Sequence, residues 1–239
     1  MTESGASRSI LATFINSQTE ARAQLDQPWD QARLVVLDFE TTGLGPADDI
    51  ISFGAVHIDG GQVIGRSSVY GLVRPRTALT PDAIRVHAVR ATDLETAPPL
   101  PGALDPLWAA MIGRVLVAHT AWVETAFLDR ALADRGVAVG LTVVDTAELA
   151  WSHFGLPRDP VKSPGLETVA ERIGLPVFSP HHALGDAWTT ALIFLAMARH
   201  RAKDRTVSVR ELVTASTPDR RPATERKHWL SRTIRGKRT

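Results

Sequence analysis

The chain has 239 residues, 44% hydrophobic and 22% charged, and contains no cysteine. That length carries one sizeable domain with its own core, and the missing thiols exclude disulfides and thiolate metal sites, so any metal must be held by oxygen or imidazole. The formal net charge of +1 hides an asymmetry: residues 199–239 hold 13 Lys+Arg against 4 Asp+Glu, and the first 198 hold 14 against 22. An acidic body with a basic tail suits a protein that holds cations in its site and meets polyanions with its end. No apolar run is long enough to cross a bilayer, and the opening MTESGASRSI lacks the apolar core of a signal peptide. A cytoplasmic protein with no membrane partner is expected.

In chain order, Ser9 to Asp26 reads as a polar amphipathic helix ended by Pro28. Arg33 to Phe39 is a buried strand. The stretch from Ile50 to Pro75 is rich in β-formers around Asp59-Gly60-Gly61, a hairpin signal. Thr80-Pro81 opens a short helix through Val86, with Thr80 as N-cap and proline at the first helical position. Leu104 to Ile112 is apolar at helical spacing. Arg114 to Thr120 is a second buried strand, and Trp122 to Gly136 a helix closed by glycine. Leu141 to Thr146 is a further strand, followed by helices over Ala147–Phe154, Gly165–Gly174 and His182–His200. A hairpin followed by alternating strand and helix predicts an α/β fold with a mixed sheet, antiparallel over its first three strands and parallel after, flanked by helices. After Arg205 the periodicity is weak.

The first strand, LVVLDFETTGL, ends in two acids where a core strand should have none. Side chains two apart on a strand share a face, so Asp38 and Glu40 project together. Two like charges this close repel, and a divalent cation of the Mg²⁺ or Mn²⁺ type relieves that. Glu124 lies near the start of a helix after a buried strand. Asp186 sits one turn into the last helix, with His181 five residues earlier. Alone, each is an ordinary helix N-terminal charge.

Together, in this order, LDFETTGL, LTPDAIRVHAV, LVAHTAWVETAFL, VVDTAELA, GLETVAERIGLP and HHALGDA resemble the motifs of the DEDDh 3′–5′ exonucleases, typified by the proofreading epsilon subunit of bacterial DNA polymerase III. The resemblance covers about Arg33 to Arg199. It implies a ribonuclease-H-like fold and two-metal phosphodiester hydrolysis. Asp38, Glu40 and Asp186 would hold the first ion, with Asp38 bridging to the second, and Glu124 would support the second through water. His181 would be the general base. Thr41, Thr42, Gly43, Leu44 and His87 would contact the 3′-terminal nucleotide. The implied organisation is an N-terminal helical extension (1–31), an exonuclease domain (32–200) and a basic tail (201–239).

Three positions depart from the family pattern. Glu124 stands where it has Asp, Thr120 where it has Asn, and Ala88 where it has Gly. Asp129 cannot replace Glu124, because five residues carry it about 140° round the helix. His182 is four residues before Asp186, where tyrosine-type relatives carry their tyrosine. His57, His153, His200 and His228 lack acidic partners at metal spacing and are read as surface or packing residues. Trp108 and Trp188 read as core, and Asp145 as a structural cap for the helix that follows it.

The resemblance implies a substrate with a free 3′ end, most readily single-stranded DNA, and a DNA polymerase or replication partner. An RNA or oligoribonucleotide exonuclease is the alternative with the same chemistry. A catalytically impaired nucleic-acid-binding or polymerase-accessory module is the alternative of another class, motivated by Glu124.

Overall fold

A computed structural model describes residues 5–159 and 163–216. Two helices, α1 (Gly5–Asn16) and α2 (Gln18–Ala23), precede the sheet where the sequence predicts one. The break falls at Ser17, whose hydroxyl donates back to the Phe14 carbonyl at 2.7 Å and accepts the Gly113 N–H at 2.8 Å. A serine side chain that bonds nearby backbone competes with helix continuation. Phe14 packs on Trp108 with ring centroids 5.0 Å apart, so the N-terminal helices belong to the core.

Strands β1 (Leu34–Thr41), β2 (Ile50–Asp59) and β3 (Gln62–Leu72) form an antiparallel meander. Gly60 and Gly61, at φ +59° and +67°, make the tight turn between the last two. Strand β1 also pairs in parallel with β4 (Val115–Ala118), which pairs in parallel with β5 (Val143–Asp145). The sheet order is β3-β2-β1-β4-β5, a ribonuclease-H-like arrangement in line with the sequence expectation.

Between β3 and β4 run α3 (Pro81–His87), α4 (Ala91–Leu94), α5 (Leu100–Ala103) and α6 (Asp105–Met111). The Thr80 hydroxyl caps α3 by accepting the Ala83 N–H at 3.1 Å. Helix α7 (Trp122–Ala133) follows β4, and α8 (Thr146–His153) follows β5. Helices α9 (Leu166–Ile173), α10 (Ala183–Arg201) and α11 (Val209–Ala215) complete the described chain.

The central strand is buried on both faces, which explains its unbroken apolar run. Leu34, Val36, Val56 and Val117 pack beneath Phe194 and Met197 of α10. Val35, Leu37 and Leu116 pack beneath Phe14, Trp108 and Leu128. Helix α11 is unexpected from periodicity, yet Ser208 and Glu211 form a reciprocal capping box at its start, and Val209 and Leu212 are buried. Residues 217–239, most of the expected basic tail with His228, lie outside the described residues.

Candidate active site

Asp38 and Glu40 leave the same face of β1 at its C-terminal end, as the period of two requires. Asp186 reaches them from the first turn of α10. Ligand oxygens of Asp38, Glu40 and Asp186 all lie within 4.8 Å of one another. Glycine makes this approach feasible. Gly54 faces Asp38 across the β1–β2 ladder, and a Cβ there would meet the Leu184 N and Cα at 2.3 Å. Gly185 similarly lets the Phe178 carbonyl pass, which a Cβ would meet at 2.3 Å. Neither glycine stands out in sequence. Their need comes from a helix and a loop that the sequence does not place.

The electrostatics of the cluster are those of an unneutralised anion site. Burial pushes the Asp38 carboxyl well above the ordinary range, and the charges of Glu124, Glu40 and Asp186 push it further. Burial, then Asp186, raises Glu40 to about 8. Asp186 is raised to about 7 by burial and the charge of Glu167, against the His181 N–H that donates to its Oδ2 at 3.0 Å. Glu124 stands outside the trio of converging oxygens, but among the neighbouring charges it acts most strongly on Asp38. It is 3% exposed, and its Oε2 has no hydrogen-bond partner. Buried, crowded carboxylates with an orphaned oxygen suit hard divalent cations. Asp129 is exposed on the far side of α7.

His181 is part-exposed, with its Nε2 3.5 Å from Glu167 Oε1. The residue takes φ +60°, and its backbone N–H donates to Asp186. His87 is buried. Its Nδ1 accepts the Val89 N–H at 3.0 Å, which leaves Nε2 as the protonated nitrogen of the neutral ring, and Nε2 has no partner. Burial and the nearby His181 hold its pKa down.

The loop after β1 is fixed from within. The Thr42 hydroxyl donates to Asp48 Oδ1 and accepts the Asp49 N–H, both at 2.9 Å, so it serves the loop itself. A Cβ at Gly43 would meet the Asp48 carboxylate at 2.6 Å. Thr41 ends the strand at a register shift, and Leu44 packs on the core. Arg130 of α7 donates to the Gly45, Pro46 and Asp48 carbonyls.

Asp145 caps α8, accepting the Ala147 N–H at 2.9 Å, and also accepts the Thr120 and Ala121 N–H groups at 3.0 and 2.9 Å. One buried carboxylate therefore seats the start of α7, which carries Glu124. Burial raises it to about 7. His119 braces the same corner, with Nδ1 2.9 Å from Thr146 Oγ1 and Nε2 2.8 Å from the Pro164 carbonyl. Burial lowers it to about 4, so it stays neutral. Sequence reading missed His119. Its place in the second motif was the available signal. His57 bonds the Ala110 carbonyl, and His153 packs edge-on against His200, both away from the acids.

A ribonuclease-H-like sheet with converging acids at the end of its central strand defines the architecture of metal-dependent nucleases. The fold is shared with the nuclease domain of 3′hExo, a DEDDh family member, bound to rAMP: TM-score 0.61, 19% identity, 74% of this chain and 97% of that one. The family model described as "Exonuclease" matches residues 35–194, and the chain belongs to this RNase T/DnaQ-like exonuclease family. The chain is 32% identical over 177 residues to the DNA polymerase III subunit epsilon of Treponema pallidum, covering 73% of this chain and 80% of that protein. It is 33% identical over 172 residues to the PolC-type DNA polymerase III of Thermotoga maritima, across 71% of this chain. The chain spans 12% of the length of that relative. No described helix is long and apolar enough to cross a membrane.

Proposed function

We propose that the chain is a divalent-metal-dependent 3′–5′ exonuclease acting on single-stranded DNA. The observation that carries this reading is the buried convergence of Asp38, Glu40 and Asp186, with the backbone N–H of part-exposed His181 donating to Asp186. The DNA polymerase III relatives support DNA as substrate and a replication polymerase as partner. Asp38, Glu40 and Asp186 would hold one Mg²⁺ or Mn²⁺, and Asp38, supported by Glu124, a second. Bound there, two ions supply positive charge to the attacking and leaving oxygens of the phosphodiester.

The chain's own residues do the rest. His181 accepts the proton of the attacking water, a task suited to an imidazole near neutral pH. Its part-exposure lets that proton leave to solvent. The unpartnered Nε2–H of buried His87 donates to the terminal nucleotide, satisfying a group otherwise costly to bury. The loop from Thr41 to Leu44, held by Asp48 and Arg130, presents its backbone to the same nucleotide.

The test is degradation of end-labelled single-stranded DNA and RNA with Mg²⁺ or Mn²⁺. DNA shortened from its 3′ end, faster than RNA, is the expected result. Faster RNA loss would move the substrate to RNA, and no loss of either would leave a binding module. Glu124→Asp is expected to keep or raise the rate and Glu124→Ala to remove most of it. An unchanged rate in Glu124→Ala would end its support of the second ion.

A further inference from the structure

Tyr70 lies on β3, two strands from Asp38 and on the same face of the sheet: Asp38 pairs with Gly54, and Gly54 with Tyr70. At the usual strand spacing this puts the two Cα atoms about 10 Å apart. Gly54 between them has no side chain, and α10 begins over it. One face of the Tyr70 ring stacks on His182, with centroids 4.6 Å apart and planes within 20°. The residue nevertheless stays 39% exposed. A tyrosine stacked on a neighbouring ring and still part-exposed is a ready stacking surface.

The setting is unusual for the molecule. Among the described residues four large hydrophobics are exposed: Tyr70, Val86, Leu156 and Phe178. Of these four, Tyr70 lies on the sheet face that carries Asp38. Every nucleobase has a π-face, and stacking on aromatic side chains is how single strands are gripped without sequence preference.

We infer that Tyr70, backed by His182, is the stacking platform for the penultimate base of a single-stranded substrate. The inference rests on the exonuclease reading: with the scissile phosphate at the acids, the penultimate base is one nucleotide away and within reach of a ring whose Cα lies about 10 Å from that of Asp38. The platform grips an unpaired strand, because a base paired within a duplex is already stacked on both faces.

Equilibrium binding with Ca²⁺ in place of Mg²⁺ tests it, using labelled oligonucleotides that are intact or carry one abasic residue. For the wild type, an abasic penultimate position is expected to weaken binding about tenfold, in the range of one base on an aromatic ring. Tyr70→Phe should keep that sensitivity. Tyr70→Ala, or Tyr70→Leu should alanine fold poorly, should reduce it to less than about twofold. A tyrosine that merely braced the His181–His182 loop would not care which base is missing, so this cycle isolates the contact. Equal sensitivity in Tyr70→Phe and both non-aromatic variants would overturn the platform, as would wild-type sensitivity confined to another position. Hydrolysis of the intact strand with Mg²⁺ is scored separately: binding that follows the expected pattern without any hydrolysis would sink the exonuclease reading and keep the platform.

Discussion

The acids and the loops around them are built by opposite means. Asp38 and Glu40 sit on a regular strand, and Glu124 and Asp186 on the first turns of regular helices. The loops carry every described non-glycine residue at positive φ: Ala88 at 57°, Thr120 at 62°, Ser179 at 38° and His181 at 60°. Ala88 follows His87, Thr120 is held by Asp145 ahead of the helix that carries Glu124, and Ser179 and His181 lie just before the helix that carries Asp186. Left-handed backbone is strained for residues with a Cβ and persists where the surroundings over-determine it. The clustered acids thus stand on regular elements, and His181, proposed as the base, stands on strained backbone.

The largest effect should come from the stiff half. Asp38→Ala and Asp186→Ala are each expected to abolish turnover with Mg²⁺ while the circular dichroism spectrum stays native. Wild-type turnover in either variant would remove the acids from the chemistry. His181→Ala should slow hydrolysis about 10²–10⁴-fold, the usual worth of a positioned general base, with divalent-ion affinity retained by calorimetry. A larger loss in His182→Ala would move the base.

Stability should report the same repulsion. Glu40 at about 8 and Asp186 and Asp145 at about 7 all lie above their unfolded values. These carboxyls therefore bind more protons in the native state than in the unfolded chain between about pH 4 and 8 and stabilise it as pH falls, opposed below about pH 6.5 by His119, which burial holds at about 4. In chelator, the melting temperature should be higher at pH 6.5 than at pH 8. Saturating Mg²⁺ or Mn²⁺ should narrow the gap, leaving the share that belongs to Asp145. A metal-free melting temperature that rises with pH would contradict the raised values.

The smallest effects should come from relieving the loops. Ala88→Gly is expected to stabilise by about 1 kcal/mol in urea unfolding, and Thr120→Asn by about 0.5 kcal/mol, since Gly and Asn tolerate left-handed backbone. The asparagine gains less because Thr120 Oγ1 lies 3.1 Å from Ser163 Oγ, a contact it replaces. Destabilisation by both would show that the strain is absent.

The antiparallel first three strands and the Asp38–Glu40 pair were legible because apolar runs, turn glycines and a period of two are local signals, whereas Glu124 and Asp186 came from the motif resemblance. Two departures from the family pattern, Ala88 and Thr120, also acquire a physical meaning: both fall on left-handed backbone. What stayed hidden is non-local. The double seat offered by Asp145 depends on two loops 24 residues or more apart in sequence meeting at one carboxylate. The stack of Tyr70 on His182 joins residues that only the sheet register and the start of α10 bring together. Helix α11 was readable from Ser208 and Glu211, and weak hydrophobic periodicity concealed it.

The contact between Gly54 and the start of α10 makes that helix a lever. It has 19 residues, so it is a rod about 28 Å long. Its far end is gripped by Met197 and Ala198 in the core, while its near end rests on bare strand backbone. A single methyl group at Gly54 would raise the near end, tilting the rod by a few degrees on the geometry of that length. A Mg²⁺ ion held by Asp186 together with the strand acids would demand near-ideal octahedral geometry and tolerate such a tilt less than a more permissive ion. Ion preference would then respond to a residue that binds no ion. Gly54→Ala should remain folded yet turn over DNA with a higher Mn²⁺-to-Mg²⁺ rate ratio than the wild type, and an unchanged ratio would show that the helix is not seated on that glycine.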